Sequence, residues 1–147
     1  MIIKPAIASN YDEIIQVWES SVRATHDFIT EQNIQDLKIA IKEQYLPNLA
    51  VFVAVDETQK IIGFIGTDEN RLEMLFIAPN NRGKGTGKKL LQYDIDQLGI
   101  TEVDVNEQNP QAVGFYQHMG FIQYARSEID GEGNPFPILH MKLSTIE

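Results

Sequence analysis

The stretch from Phe76 to Lys89, FIAPNNRGKGTGKK, places three glycines and four cations between an apolar run and an amphipathic one. Gly83, Gly85 and Gly87 let the backbone approach a ligand closely and adopt positive φ, so that successive N–H groups converge on one anion. A helix expected to open at Thr86 adds unpaired N–H donors and the positive end of its dipole. Arg82, Lys84 and Lys88 supply the charge. Together these residues are suited to binding a phosphate. The chain as a whole has 12 Lys and Arg against 21 Asp and Glu, a net charge of −9. Yet four of those cations fall within Arg82 to Lys89, and no acid lies between Pro79 and Tyr93. An acidic protein that keeps one cationic segment is expected to meet a small anion there. Nucleic acid would be repelled at long range and is not the expected partner.

The elements that must position this loop follow from periodicity. Ile2–Ala8 predicts a first strand. A helix capped by Ser9 or Asn10 runs to about Ala24, with Ile14, Ile15, Val17, Trp18 and Val22 as its apolar stripe. Thr25 to Phe28 interrupts it. A second helix spans about Glu31 to Tyr45 and stops at Pro47. Ala50–Val55, Ile61–Thr67 and Leu72–Ile77 predict an antiparallel meander, separated by turn residues. After the glycine loop come a helix over Thr86–Leu98, with Leu90, Leu91, Ile95 and Leu98 inward, and a short strand, Glu102–Val105. Pro110 opens a helix to about Met119, ended by Gly120. Phe121–Ile129 and Pro137–Leu143 predict a terminal hairpin pair. The 147 residues are expected to form one domain.

Two well-known phosphate loops fail against this stretch. A nucleotide P-loop needs Gly five positions before its Gly-Lys pair and Ser or Thr after it, where this chain has Arg82 and Lys89. A dinucleotide fingerprint needs a third Gly where this chain has Lys88. What matches is Arg-x-x-Gly-x-Gly over Arg82 to Gly87, and there the sequence resembles the GNAT superfamily of N-acetyltransferases. A second match, Val105 to Phe121 (VNEQNPQAVGFYQHMGF), resembles the same superfamily's later motif at the same spacings. Within it, the chain looks most like the small bacterial YjaB-type members, on Ala24–Phe28, Val105–Asn109, Arg126–Glu128 and Pro135–Pro137. The resemblance implies the GNAT fold: an α/β (α+β) domain with a mixed, mostly antiparallel sheet of about seven strands flanked by four helices. It also implies transfer of acetyl from acetyl-CoA to a small-molecule or peptide amine, by direct attack in a ternary complex.

Carried onto this chain, the pattern gives roles. The strand before the loop would splay from its neighbour, so that Leu75, Phe76 and Ile77 offer main-chain groups to the pantetheine arm. The Leu75 N–H would polarise the thioester carbonyl. Arg82, Gly83, Lys84, Gly85, Thr86, Gly87 and Lys88 would hold the pyrophosphate. Tyr116 would protonate the departing thiolate, although an aromatic beside Phe115 also fits plain packing. Asn109 would bind the coenzyme, cap the next helix, or both. Glu73, placed by strand alternation on the face of Leu75, is the candidate base; a solvated strand Glu fits equally. His26, Asp27 and Phe28 would shape the acceptor pocket, with His26 a natural base near neutral pH, while Thr25 and Asp27 also fit as plain caps of the next helix. A catalytically idle coenzyme-A sensor, an interaction module, or transfer of a longer acyl group remain open alternatives.

Composition narrows the rest. No cysteine is present, which excludes disulfides, thiolate-bound metals and an acyl-cysteine intermediate, and fits a cytoplasmic protein. Three scattered His residues, of which His118 and His140 read as structural, show no metal-ligand spacing. No apolar run approaches the roughly 18 residues of a membrane span, so no membrane partner is expected, nor is a signal peptide. GNAT members often dimerise through late strands, so the resemblance leaves a homodimer open, and the sequence does not fix the oligomeric state.

Overall fold

In a computed structural model of the chain, residues 1–25, 29–131 and 133–144 are described. Strand β1 (Ile2–Pro5) leads through a 3-10 turn into α1 (Tyr11–Thr25). β1 is shorter than the expected Ile2–Ala8 because that 3-10 turn starts at Ala8 and Asn10 Oδ1 accepts from the Ile7 N–H (2.9 Å), which bends the chain before the helix. The stripe of α1 is fully committed to the core: Ile14, Ile15, Val17, Trp18 and Val22 are buried. Thr30 caps α2 (Glu31–Ala40) by accepting from the Asn33 N–H at 3.1 Å. The expected helix to Tyr45 widens into a π-helical turn, Ile41–Tyr45, then tightens into a 3-10 turn, Leu46–Asn48. Pro47 explains the change, since it has no N–H to continue the ladder.

The meander is β2 (Ala50–Val55), β3 (Ile61–Asp68) and β4 (Arg71–Ile77), all antiparallel. Then come α3 (Thr86–Leu98), β5 (Glu102–Asn106), α4 (Pro110–His118), β6 (Phe121–Ser127) and β7 (Ile138–Leu143). All seven strands join one sheet in the order β1-β2-β3-β4-β5-β7-β6, mixed because β4 and β5 run parallel. Seven strands with four helices is the expected α+β architecture. The terminal hairpin forms, but β7 inserts between β5 and β6 and leaves β6 at the edge.

Alternating side chains feed two cores. One packs α1 and α2 against β2–β4, with Phe64 and Val53 at its centre. The other packs α3 and α4 against the opposite face, through Leu90, Leu91, Ile65, Leu72, Val103 and Phe121. Among the described residues no helix is long and apolar enough to cross a membrane.

The feature that makes a site is a divergence. β4 and β5 pair only at Arg71↔Glu102 and Leu72↔Val103, and then separate. At that point β4 carries a β-bulge: Gly66 pairs with Met74 and Thr67 with Leu72, which leaves Glu73 as the extra residue. A bulge bends its strand and increases local twist, which turns the rest of β4 away from its parallel neighbour.

Candidate active site

Beyond the bulge, the antiparallel ladder decides which backbone groups face the gap. The Ala78 N–H donates to the Ile62 carbonyl at 2.9 Å, and Phe76 and Met74 face Phe64 and Gly66 in the same register. Hydrogen-bonded and non-bonded pairs alternate, so the N–H and C=O of Leu75 and Ile77 point away from β3, into the opening beside β5. The expected pair of residues thus has main-chain groups available for a ligand.

The opening is a cleft of about 290 Å³. Leu75, Phe76 and Ile77 form one wall, and Asn109, Ala112, Phe115 and Tyr116 form the other. Arg82 and Gly87 close one end with Ser21 of α1. The loop behaves as a left-handed bend: Gly83 has φ 76° and Gly85 has φ 82°, and Gly85 is the residue from which α3 starts. A Cβ built at Gly85 would meet nothing within 4 Å, so glycine is required there by backbone conformation and not by crowding. The first turn of α3 contains no acidic residue, so its positive end is not neutralised by its own side chains. Lys84 and Lys88 are exposed, whereas Thr86 is buried at 4% exposure and serves the packing of the helix start.

Arg82 does more than carry charge. Its guanidinium donates to the Ser21 hydroxyl at 2.7 Å, which ties the loop to α1. Ser21 sits among the buried positions of that helix and did not stand out from the sequence, because a small polar residue within an apolar stripe passes as packing. Asn109 is the N-cap of α4: its side chain accepts from the Ala112 N–H at 3.2 Å, while the residue also lines the cleft. Tyr116 stacks edge-on against Phe115 and Phe121, at 5.2 and 5.9 Å between ring centroids. Burial pushes its phenol above the ordinary range, so it holds its proton at neutral pH.

Glu73 departs from the sequence expectation. Strand alternation put it on the face of Leu75, but the bulge shifts the phase by one residue, so that Glu73 and Met74 line the same cavity on the α1 side of the sheet. That second cavity, about 360 Å³, is walled by Trp18, Tyr45, Leu37, Ile41, Asp68 and Phe76. Phe76 also borders the first cleft, so the two openings meet at one residue of β4. Burial raises the Glu73 carboxyl above its ordinary value, with Asp104 and Asp68 adding to the rise and Arg71 opposing it. His26, Asp27 and Phe28 lie outside the described residues. Among the described residues, no group of three or more His, Asp or Glu is arranged to hold a metal.

Comparison with known proteins adds to this geometry. The sequence profile described as Acetyltransferase (GNAT) domain matches residues 18–145. Peptidyl-lysine N-acetyltransferase YjaB of Salmonella typhimurium is 38% identical over 130 residues, covering 88% of this chain and 89% of the relative. The solution structure of apo-form YjaB from Escherichia coli aligns with a TM-score of 0.85 at 34% identity, covering 99% of this chain and all of that one. PaiA N-acetyltransferase from Thermoplasma acidophilum, solved in complex with coenzyme A, shares the fold with a TM-score of 0.71 at 24% identity, covering 97% of this chain and 99% of that one.

Proposed function

Because the chain belongs to the GNAT family and is an N-acetyltransferase, we propose that it uses acetyl-CoA as donor and a lysine side chain of a peptide as acceptor. The divergence of β4 from β5 carries this reading, since it exposes a strand edge beside an anion loop and a protonated phenol. The cleft fits the donor by its own chemistry. Gly83 and Gly85 leave an open left-handed bend for a pyrophosphate, and Arg82, Lys84 and Lys88 supply positive charge. Leu75 and Ile77 offer main-chain groups that a pantetheine amide can pair with as a strand would. The relative solved with coenzyme A supports the same assignment.

When bound, acetyl-CoA supplies an activated acyl carbon. The Leu75 N–H then donates to the acyl oxygen as negative charge develops there, an interaction worth about 3–4 kcal/mol in comparable sites. Tyr116 gives its proton to the departing sulfur. Glu73 takes the proton of the incoming amine, directly or through one water, from the cavity on the other side of β4. Asp68 and Glu73 favour a cationic amine there, and Trp18, Tyr45 and Phe76 offer faces for its alkyl stem. The names of the YjaB relatives support lysine as that amine.

The test is release of free thiol from acetyl-CoA with a lysine peptide, followed by mass spectrometry of the peptide. Turnover with the peptide is expected; binding of acetyl-CoA without turnover would leave only the donor half of the reading. Gly85→Val should weaken acetyl-CoA binding about tenfold or more by calorimetry, since a β-branched residue disfavours positive φ. Glu73→Gln should lower kcat/KM by about 100-fold and remove the acidic limb of its pH profile. That limb rises with pH through the raised Glu73 pKa, because only the carboxylate accepts a proton. An unchanged limb in the variant assigns the base elsewhere.

A further inference from the structure

α1 and α2 pack over β2–β4 and not over β5, β7 and β6, whose same face carries Glu102, Asp104, His140 and Lys142. One row of them is ordered in a way the acetyl-transfer site does not use. Asp104 of β5 lies directly across the ladder from His140 of β7, and its Oδ1 is 2.7 Å from His140 Nδ1. On the far side of the ring, His140 Nε2 is 2.7 Å from the Oγ of Ser127, the last residue of β6. The second oxygen of Asp104 accepts from Arg71 at 2.7 Å, so the carboxylate is oriented from both sides. A carboxylate at Nδ1 assigns the proton to that nitrogen and leaves Nε2 as the acceptor for the Ser127 hydroxyl.

Hydroxyl, imidazole and carboxylate in this order at hydrogen-bond distances are what activate a serine as a nucleophile. The row is also accessible. β6 is an edge strand and the His140 side chain is 24% exposed. The ring of Tyr124, 47% exposed, lies 6.3 Å from the imidazole between centroids, with the Lys142 ammonium 5.4 Å from its centre.

We propose that Ser127, His140 and Asp104 form a second acyl-accepting centre, which hydrolyses small activated carboxylic esters, aryl esters foremost. Ser127 Oγ bonds to the ester carbonyl carbon while its proton passes to His140 Nε2. The bond from that carbon to the aryl oxygen breaks, and His140 returns the proton to the leaving oxygen. Water then attacks the acyl-serine, again giving a proton to Nε2. The serine–acyl bond breaks, Ser127 regains its proton and the carboxylic acid leaves. Asp104 orients the imidazole and balances its transient charge.

The experiment uses the full chain without coenzyme A, with p-nitrophenyl acetate as substrate and an alkyl fluorophosphonate as covalent probe. Ser127→Ala and His140→Ala should each lower p-nitrophenol release above buffer by about 100-fold. The phosphonate should appear on the peptide containing Ser127 and be absent in Ser127→Ala. Coenzyme-A-dependent acetyl transfer should be unchanged in Ser127→Ala, which separates this centre from the cleft. Should His140→Ala fail to fold, Ser127→Ala, which deletes one oxygen, remains decisive. Hydrolysis at the same rate in Ser127→Ala, or no phosphonate at Ser127, overturns the proposal.

Discussion

Replacing Tyr116 with Phe is expected to reduce acetyl-transfer turnover by about 100-fold or more, the range typical for loss of a general acid. The substitution deletes one oxygen and keeps the ring that packs edge-on against Phe115 and Phe121. Affinity for acetyl-CoA should therefore stay nearly constant, because Arg82, Gly83, Gly85 and the main chain of Leu75 and Ile77 are untouched. The direction of the Tyr116 shift fits a donor and opposes a base: burial raises its pKa, so the proton is present throughout the neutral range. Titration of acetyl-CoA by calorimetry, together with thiol release under saturating acceptor, separates binding from chemistry. A variant that turns over at the wild-type rate returns Tyr116 to a packing role. A wild-type chain that binds acetyl-CoA but never turns over is a sensor.

The second large effect concerns stability. Asp94 occupies a core position of α3, four residues after Leu90 and three after Leu91, and is 0% exposed. Neither of its carboxyl oxygens has a hydrogen-bond partner among the described residues. Burial pushes its pKa up to about 7, from an ordinary value of 3.8. Between those two pH values the folded chain keeps a proton that the unfolded chain has lost. Stability from this group is therefore full below about pH 4, falls as pH rises towards 7, and stays low above it. The difference amounts to up to about 4 kcal/mol, large against a typical total of roughly 5–15 kcal/mol. Asp94→Asn cannot ionise. Urea unfolding should find it close to wild type near pH 4 and more stable by about 2–4 kcal/mol at pH 8. Equal stability of the two proteins at pH 8 would mean that the carboxylate finds a partner in solution.

Much of the proposed donor site is written locally. Gly83, Gly85 and Gly87 with their cations announce a bend that few other residue sets produce, and the helix after it begins and ends at Thr86 and Leu98 as the periodicity indicates. The meander β2–β4 is similarly legible, since short turns between apolar runs leave little choice but antiparallel neighbours. Asp94 was not legible: a charged residue on a helix is ordinarily solvated, and only the packing of α3 on the sheet turns it inward.

The amino-acid order by itself determined the element sequence, the glycine-and-cation loop, the position of Tyr116 on α4 and the family resemblance, because each depends on residues within a turn or two of one another. Tertiary structure alone decided which side of the sheet Glu73 serves, since one bulged residue opposite Gly66 and Thr67 reverses the alternation that spacing predicts. It also decided that β7 separates β5 from β6, which brings Asp104, His140 and Ser127 into one row from positions up to 36 residues apart. Arg82 meets Ser21 across 61 residues for the same reason. Local pattern sets how a segment bends; which segments become neighbours depends on burying every apolar face at once, and no single stretch carries that information.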